Sequence, residues 1–236
     1  MSIAENVARI RAEMEAAAIA CGRDPRSIQL CAATKMNDAD AVRQAIAGGV
    51  DLCGENKVQE LTQKLSENAY EGAPVHFIGH LQTNKVKSVV GKVDLIQSVD
   101  SLRLLQAIDK EAAKQGIRQG ILLEVNVGQE ESKSGFTTEE IRQLMTHFED
   151  FPHVFLRGLM AIPPICEIPG GNDKFFLEMY NLSVDIKAKT YDNVCVDTLS
   201  MGMSDDFTDA IRCGSTMIRV GTAIFGQRNY AKPHQS

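Results

Sequence analysis

The sequence predicts an α/β protein in which eight parallel strands, with a helix between each, close into a single (β/α)8 barrel of the TIM type. Two observations predict this fold. Short apolar, β-rich runs alternate along the chain with longer stretches whose apolar residues recur every three to four positions. No linker rich in proline, glycine or serine interrupts this alternation, so residues 1–236 are expected to form one domain.

The predicted strands are short runs bounded by turn-forming residues. They are Ser27–Ala33, Val50–Gly54, Val75–Ile78, Leu95–Gln97, Gly120–Val127, Phe155–Ala161, Asn193–Leu199 and Met217–Val220. An open doubly wound sheet is the alternative to a barrel. A dinucleotide-binding sheet of that kind needs G-x-G-x-x-G after its first strand, where Ala32–Asn37 contains no glycine, so the barrel is favoured.

The predicted helices combine apolar periodicity with capping residues. An extra amphipathic helix lies within Met1–Cys21, and the others are Asp38–Ala47, Lys57–Ser66, Asn84–Val90, Leu102–Lys114, Thr138–Phe148, Phe175–Ala188 and Ser204–Ile211. Asn37 or Asp38, Thr137 and Ser204 stand where N-caps are expected, since each precedes a helical pattern. The helices are therefore predicted to surround the barrel.

Composition and charge exclude several classes of function. The 236 residues are 44% hydrophobic with a net charge of −6, and no basic patch is visible, which argues against nucleic acid as a partner. The N-terminus has no uninterrupted apolar segment, and about 18 apolar residues never run together, so neither a signal peptide nor a membrane span is expected. Six scattered cysteines without a CxxC pair indicate reduced thiols, and a cytoplasmic location is predicted.

A functional site is expected at the carboxyl ends of the strands, where barrels of this class carry their chemistry. Lys35 leaves the first strand there. Partly desolvated, its amine could attack carbonyl groups, whereas the alternative is a surface lysine at a helix start. His76 and His80 have the spacing of a helical metal site, but they lie on a strand and loop without the Glu of H-E-x-x-H, so no metal is expected. His80, after the third strand, is instead expected to hydrogen-bond within the mouth.

The end of the seventh strand predicts a phosphate site, which recurs in this fold after strands seven and eight. Ser200 and Ser204 offer hydroxyl groups, Gly202 allows close approach, and Gly221 and Thr222 follow the eighth strand. An ordinary capped loop is the alternative. Together with Lys35, this segment makes a phosphorylated aldehyde the economical ligand.

Arg219 lies within the eighth predicted strand, where a charge is costly to bury without a partner. Placed against a pyridine nitrogen, its guanidinium could only donate a hydrogen bond, which would leave the ring a weak electron sink. A structural salt bridge is the alternative. Four methionines could line the pocket, although methionine is often core filler: Met36, Met160, Met201 and Met203.

These residues lie in motifs that resemble a known family. The motifs are Ala32–Lys35, Cys53–Asn56, His76–Lys85, Glu124–Val127, Glu131–Gly135, Arg157–Ala161, Leu199–Asp206 and Gly214–Thr222. In this order, and nearly from end to end, they resemble the pyridoxal phosphate homeostasis protein family, whose fold is similar to the N-terminal barrel of alanine racemase.

The resemblance implies a type III pyridoxal phosphate fold that holds pyridoxal 5'-phosphate as a Schiff base on Lys35. It implies phosphate contacts from Ser200, Gly221 and Thr222. It also implies that Arg219 meets the pyridine nitrogen and that Asn56 lies near the ring. The full set of predicted cofactor-binding residues is Lys35, Asn56, His80, Ser200, Met201, Arg219, Gly221 and Thr222.

Two enzymatic interpretations compete with the one that the family implies. An amino-acid racemase needs an acid–base group on each face of the substrate, and the racemases take their second base, a tyrosine, from a separate domain. Here the sequence ends at Ser236, and nothing positions Tyr230, which argues against a complete racemase. A class I aldolase would explain Lys35 and the phosphate site, but it explains Arg219 less naturally.

The family resemblance implies a carrier or regulator of pyridoxal phosphate without substantial catalytic activity of its own. Such a protein would buffer the reactive aldehyde and supply it to apo-enzymes through transient contacts. A monomer is expected. Lys133, in the polar loop after the fifth strand, is a candidate for helping the cofactor to enter or leave, and a solvated loop lysine is the alternative.

Overall fold

The computed structural model describes residues 1–130, 133–166, 168–189 and 191–226. Its strands are β1 (Gln29–Ala33), β2 (Leu52–Glu55), β3 (Val75–Phe77), β4 (Leu95–Val99), β5 (Gln119–Val125), β6 (Val154–Ala161), β7 (Val194–Ser200) and β8 (Met217–Val220). Neighbouring strands pair in parallel in sequence order, and β1 also pairs with β8, so the sheet closes. The predicted barrel is confirmed.

The α-helices alternate with these strands. They are α1 (Ile3–Ala20), α2 (Ala39–Ala47), α3 (Val58–Ser66), α4 (Leu102–Gln115), α5 (Thr138–Leu144), α6 (Asp173–Lys187), α7 (Phe207–Arg212) and α8 (Thr222–Phe225). The Asp38 side chain accepts from the Ala41 N–H at 2.8 Å, and Thr137 forms a capping box with Glu140, so both predicted caps are confirmed. No described helix is long and apolar enough to cross a membrane.

Three helix predictions are wrong in detail. The helix predicted over Thr138–Phe148 ends at Leu144, and Phe148 begins a short 3-10 helix. Residues Thr83–Ser88 form a 3-10 helix instead of the predicted α-helix Asn84–Val90, because the segment buries only Val86 and has no side-chain cap. The helix after β7 begins at Phe207 instead of Ser204. The Asp206 carboxylate accepts from the Met203 N–H at 2.7 Å, which folds the preceding residues into a turn.

The extra N-terminal helix covers the seam where the barrel closes. Val7 and Ile10 of α1 are fully buried and belong to one apolar cluster with Leu30 of β1 and with Ile218 and Val220 of β8. A second, larger apolar cluster lies between the sheet and the remaining helices. The barrel is therefore held from outside by two apolar layers.

The interior of the barrel changes from apolar to polar along the strands. Leu95, Leu122 and Met217 belong to small buried clusters inside the barrel. Side chains two residues further along a strand point to the same face, which places Gln97, Glu124 and Arg219 inside as well. Polar groups thus line the interior towards the carboxyl ends of the strands.

Candidate functional site

The carboxyl ends of the strands place most of the predicted site residues around one mouth. Lys35 follows β1 by two residues, Asn56 follows β2 directly, and His80 lies in the loop after β3. Arg219 lies inside β8 next to the mouth, and Gly221 follows that strand. Lys35 and Asn56 are half-buried, whereas His80 is exposed.

The loop that carries Lys35 is fixed on both sides of this residue. The Lys64 ammonium donates to the Thr34 carbonyl oxygen at 2.7 Å, and the Met36 N–H donates to a Glu60 carboxylate oxygen at 2.6 Å. Met36 has a φ of 63°, a left-handed conformation that a non-glycine residue rarely adopts. The peptide groups that flank Lys35 are therefore held by side chains of α3.

Behind this loop, Thr34, Glu55, Lys64 and Tyr70 form a polar group that we call the outer network. One Glu55 carboxylate oxygen accepts from both the Lys64 ammonium and the Thr34 hydroxyl. The Lys64 side chain is 5% exposed and the Glu55 side chain 0%, so the pair is buried between β2 and α3. Burial and the Glu55 charge raise the pKa of Tyr70, which keeps its phenol neutral.

Inside the barrel, His76, Gln97, Ser200 and Arg219 form a second polar group, which we call the inner chain. Arg219 donates to the Ser200 hydroxyl at 2.6 Å, and Ser200 donates to the Gln97 carbonyl oxygen at 2.7 Å. The Gln97 amide nitrogen lies 2.8 Å from His76 Nδ1. Burial lowers the pKa of His76 to about 4, so its ring is neutral at pH 7 and Nδ1 can accept this bond.

Arg219 does not form the structural salt bridge that was the alternative interpretation. It is 5% exposed, and its bonds run to the Ser200 hydroxyl and, at 2.8 Å, to the Ala161 carbonyl oxygen. Among the described residues no carboxylate forms an ion pair with it. Burial lowers the pKa of the guanidinium without making it neutral, so a positive charge remains next to the mouth.

Asn56 carries a buried polar atom that has no partner. Its side-chain Oδ1 has no hydrogen-bond donor among the described residues. Gly79 lies against the Asn56 main chain so closely that a Cβ at position 79 would overlap with the Asn56 carbonyl oxygen. The third-strand loop therefore packs directly on Asn56, and the amide oxygen is available to a ligand that donates a hydrogen bond.

Two carboxylates that lie near the mouth complete its electrostatics. The His80 ring nitrogen Nδ1 lies 3.0 Å from a carboxylate oxygen of Asp100, which anchors the exposed imidazole. Glu124 faces the interior, and burial raises its pKa to about 7. The Asp100 charge adds to this increase, whereas the Arg219 charge opposes it. Glu124 therefore changes its charge in the physiological range.

The loops after β7 and β8 touch each other where the phosphate site was predicted. The Ala223 N–H donates to the Ser204 hydroxyl at 3.4 Å. Gly202 has a φ of 94°, and a Cβ there would lie 2.6 Å from that of Ala210, so only glycine fits this turn. Within the described part of the chain, the main-chain N–H groups of Gly221 and Thr222 have no protein acceptor, which leaves them available to an anion.

Two residues of the predicted set are placed differently from expectation. The Ser200 hydroxyl is fully buried and already bonded within the inner chain, instead of pointing towards the β8 loop. The Met201 side chain is also fully buried and packs in the large outer cluster, because alternation along β7 turns it away from the interior. Neither its main-chain N–H nor its carbonyl is left unbonded.

Lys133 connects two loops at the same end of the barrel. Its ammonium donates to a Glu130 carboxylate oxygen at 2.9 Å and to the Pro163 carbonyl oxygen at 3.3 Å. The two neighbouring motif residues Glu131 and Ser132, and Tyr230 in the tail, lie outside the described residues. Lys133 is therefore a partly buried bridge instead of a fully solvated lysine.

Comparison with known proteins places this arrangement in a family. The family model of the alanine racemase N-terminal domain matches residues 2–229. Three relatives are each named pyridoxal phosphate homeostasis protein, and each match covers 98% of this chain. The protein of Haemophilus influenzae is 37% identical, and 98% of its length is covered. Those of Aquifex aeolicus and Escherichia coli K12 are both 38% identical, with 100% and 98% of their lengths covered. The chain belongs to the pyridoxal phosphate homeostasis protein family.

Solved structures agree with this membership of the pyridoxal phosphate homeostasis protein family. An unknown protein from Bifidobacterium adolescentis is 35% identical, with a TM-score of 0.88 over 94% of both chains. PipY of Synechococcus elongatus, solved with pyridoxal phosphate bound, is 31% identical, with a TM-score of 0.82 over 95% of this chain and 100% of PipY. Alanine racemase of Clostridium difficile shares the fold. It is 14% identical, the TM-score is 0.69, and the match covers 58% of the racemase chain.

Sequence reasoning missed several groups in this family member. It assigned no role to Gln97, Glu124, Glu60 or Lys64, although Gln97 ends a predicted strand of apolar residues. A polar residue that shares the inward face with Leu95 is a signal for a buried hydrogen bond, and it could have identified Gln97. The partners of Lys64 are Thr34, directly after β1, and Glu55 of β2, and no pattern in the sequence of α3 reveals them.

Proposed function

We propose that the chain binds pyridoxal 5'-phosphate as a Schiff base on Lys35 and acts in intracellular homeostasis of this cofactor. The observation that carries the proposal is the buried Arg219 charge, held only by neutral acceptors, at the same mouth as a lysine on a fixed loop. A chain that is 31% identical over nearly its whole length was solved with pyridoxal phosphate bound, which supports the choice of ligand.

The residues at the mouth fit this cofactor. It carries a phosphate, an aldehyde, a ring nitrogen and a phenolic hydroxyl. The unpartnered Asn56 oxygen can accept from a ligand hydroxyl, and the Gly221 and Thr222 N–H groups can donate to a phosphate. When bound, the cofactor supplies an aldehyde that condenses reversibly with an amine and releases water.

Each proposed binding residue has a separate task. Lys35 supplies the amine, and the hydrogen bonds to Thr34 and Met36 keep its loop in place. Arg219 would donate a hydrogen bond to the ring nitrogen and keep its own proton, which would weaken the electron-withdrawing power of the ring. His80, anchored by Asp100, borders the mouth from the β3 side.

The names of the relatives support a carrier instead of an enzyme. We propose that the protein works in the cytoplasm as a monomer, buffers free pyridoxal phosphate and passes it to apo-enzymes during transient contacts. The six unpaired cysteines are consistent with a reducing compartment. Cell fractionation, light scattering of the purified protein and reactivation of a pyridoxal phosphate-dependent apo-enzyme by the loaded protein test these three points.

A second candidate, racemase-like proton transfer on amino acids, is favoured by one observation. Glu124 lies at the interior face of the mouth, and its pKa of about 7 suits a group that takes up and releases protons. Incubation of the loaded protein with L-alanine in deuterated water tests it. Exchange of the α-proton that is lost in Glu124→Gln would favour an enzyme, whereas no exchange would favour a carrier.

The direct test of binding is titration with pyridoxal phosphate, followed by borohydride reduction and peptide mapping. We expect uptake of one cofactor per chain, with the reduced adduct on Lys35. Lys35→Ala should abolish the adduct, and Lys110→Ala, which removes an exposed lysine on α4, should leave it unchanged. A wild-type protein that takes up no pyridoxal phosphate, or an adduct on another lysine, would overturn the proposal. An adduct formed instead with a substrate carbonyl would favour the aldolase.

A further inference from the structure

The inner chain gives Arg219 an arrangement that a purely structural arginine would not need. A guanidinium carries five N–H donors, and two of them are used by Ser200 and the Ala161 carbonyl oxygen. The other three have no acceptor among the described residues. Both acceptors are neutral, so the charge is oriented but not neutralised.

Gln97 sets the direction of the hydrogen bonds in the inner chain. Its amide nitrogen lies between two acceptors, His76 Nδ1 at 2.8 Å and Met217 Sδ at 3.1 Å. The amide oxygen must then face Ser200, and it takes the single hydroxyl proton at 2.7 Å. Because Ser200 has no second proton, it meets Arg219 as an acceptor.

We infer that Gln97 is a positioning residue for the cofactor: through Ser200 it fixes the orientation of the Arg219 guanidinium, and His76 anchors Gln97 in turn. The inference rests on the proposed function, in which Arg219 meets the cofactor ring. Gln97 is fully buried and His76 is 7% exposed. The hydrogen bonds of Gln97 run inside the barrel to His76, Met217 and Ser200, so both residues would act on the ligand through Arg219.

A simple alternative is that the inner chain only provides hydrogen-bond partners for buried polar groups and does not position Arg219. Gln119 offers a comparison on the outer face of the sheet, because it is also buried but bonds to main-chain groups of Gly91, Val93 and Gly120 at the start of β5. If burial alone mattered, loss of either amide would destabilise the fold and leave the bound cofactor unchanged. If Gln97 positions Arg219, only its loss changes the cofactor.

The test is titration of Gln97→Met, Gln97→Glu and Gln119→Met with pyridoxal phosphate, recorded by absorbance. Both Gln97 variants should bind about tenfold more weakly, as expected for one misplaced charge-assisted hydrogen bond. They should also shift the absorbance band of the bound cofactor, because the bond to its ring nitrogen changes. Borohydride should still attach the cofactor to Lys35. Gln119→Met should lower the melting temperature and keep the wild-type affinity and band.

Rescue by a conservative change separates positioning from folding. His76→Asn keeps an acceptor for the Gln97 amide and should retain the wild-type band, whereas His76→Leu removes it and should behave like Gln97→Met. Wild-type affinity and band in both Gln97→Met and His76→Leu would overturn the inference. If these two variants do not fold, the isosteric Gln97→Glu decides by the same readout. A wild-type protein that binds no pyridoxal phosphate would refute the proposed function instead.

Discussion

Two buried polar groups lie on opposite sides of the barrel wall, and they treat charge differently. In the outer network the Lys64 ammonium meets the Glu55 carboxylate directly, so the charges cancel. In the inner chain the Arg219 charge meets only neutral acceptors. A buried charge that no carboxylate contacts directly is unfavourable for folding. The outer network is therefore expected to stabilise the fold, and the inner chain to keep a charge ready for a ligand.

The largest expected effect separates the two groups by stability. Lys64→Met removes the cation and leaves Glu55 buried without its partner, which should cost about 3–5 kcal/mol of the free energy of unfolding. Urea denaturation measures this loss. The double variant Lys64→Met/Glu55→Leu removes both charges and should recover most of it. A loss below about 1 kcal/mol in the single variant would contradict the role of the outer network.

Arg219→Met should give the opposite pattern. Its free energy of unfolding should stay within about 1 kcal/mol of the wild type, because relief of a buried charge offsets the lost hydrogen bonds. Pyridoxal phosphate binding should weaken by about 2 kcal/mol, close to 30-fold. Arg157→Met is the control, since it breaks an exposed pair with Asp197 and should leave binding unchanged. A strongly destabilised Arg219→Met would remove the contrast between the two groups.

A smaller effect, dependent on pH, is expected at Glu124. Its pKa in the folded protein is raised to about 7, above the value of an unfolded glutamate, so folding favours the protonated form. The stability that the protonated Glu124 side chain contributes is fully present below about pH 4.5. It is lost as the pH rises to about 7, because the folded protein then has to hold a buried carboxylate. Glu124→Gln should therefore gain on the order of 1 kcal/mol at about pH 8 and nothing at about pH 4, measured by thermal unfolding. An equal gain at both pH values would contradict this interpretation.

The smallest expected effect concerns Met36, in the loop that carries Lys35. Met36→Asn should stabilise the protein by a few tenths of a kcal/mol, because asparagine tolerates the left-handed conformation and Met36 is exposed. Met203→Asn, at an exposed methionine without positive φ, is the matched control and should bring no gain. Chemical denaturation of both variants provides the comparison. If both gain equally, strain at Met36 is not the cause.

The alternation of strand and helix patterns was sufficient to predict the barrel, and boundaries shifted by only a few residues in most elements. Met217–Val220 coincides with β8, and Asp38 and Thr137 cap the helices that they were predicted to cap. The segment Thr83–Ser88 was misassigned because local propensity did not show that only one of its side chains would be buried. Local patterns therefore predicted regular elements, and burial decided the exceptions.

Residue patterns were enough to predict the order of the elements, the closed parallel sheet, the family, and the end of the barrel that carries Lys35, Asn56 and Gly221. Each of these follows from periodicity, capping or motifs that lie within short stretches of chain. Three features emerge only from the folded chain: the partners of Arg219, the burial of Met201 and the pairing of Lys64 with Glu55. Gln97 and Ser200 are separated by about 100 residues along the chain, and the bond between their side chains exists only because closure of the barrel brings the interior faces of β4 and β7 together.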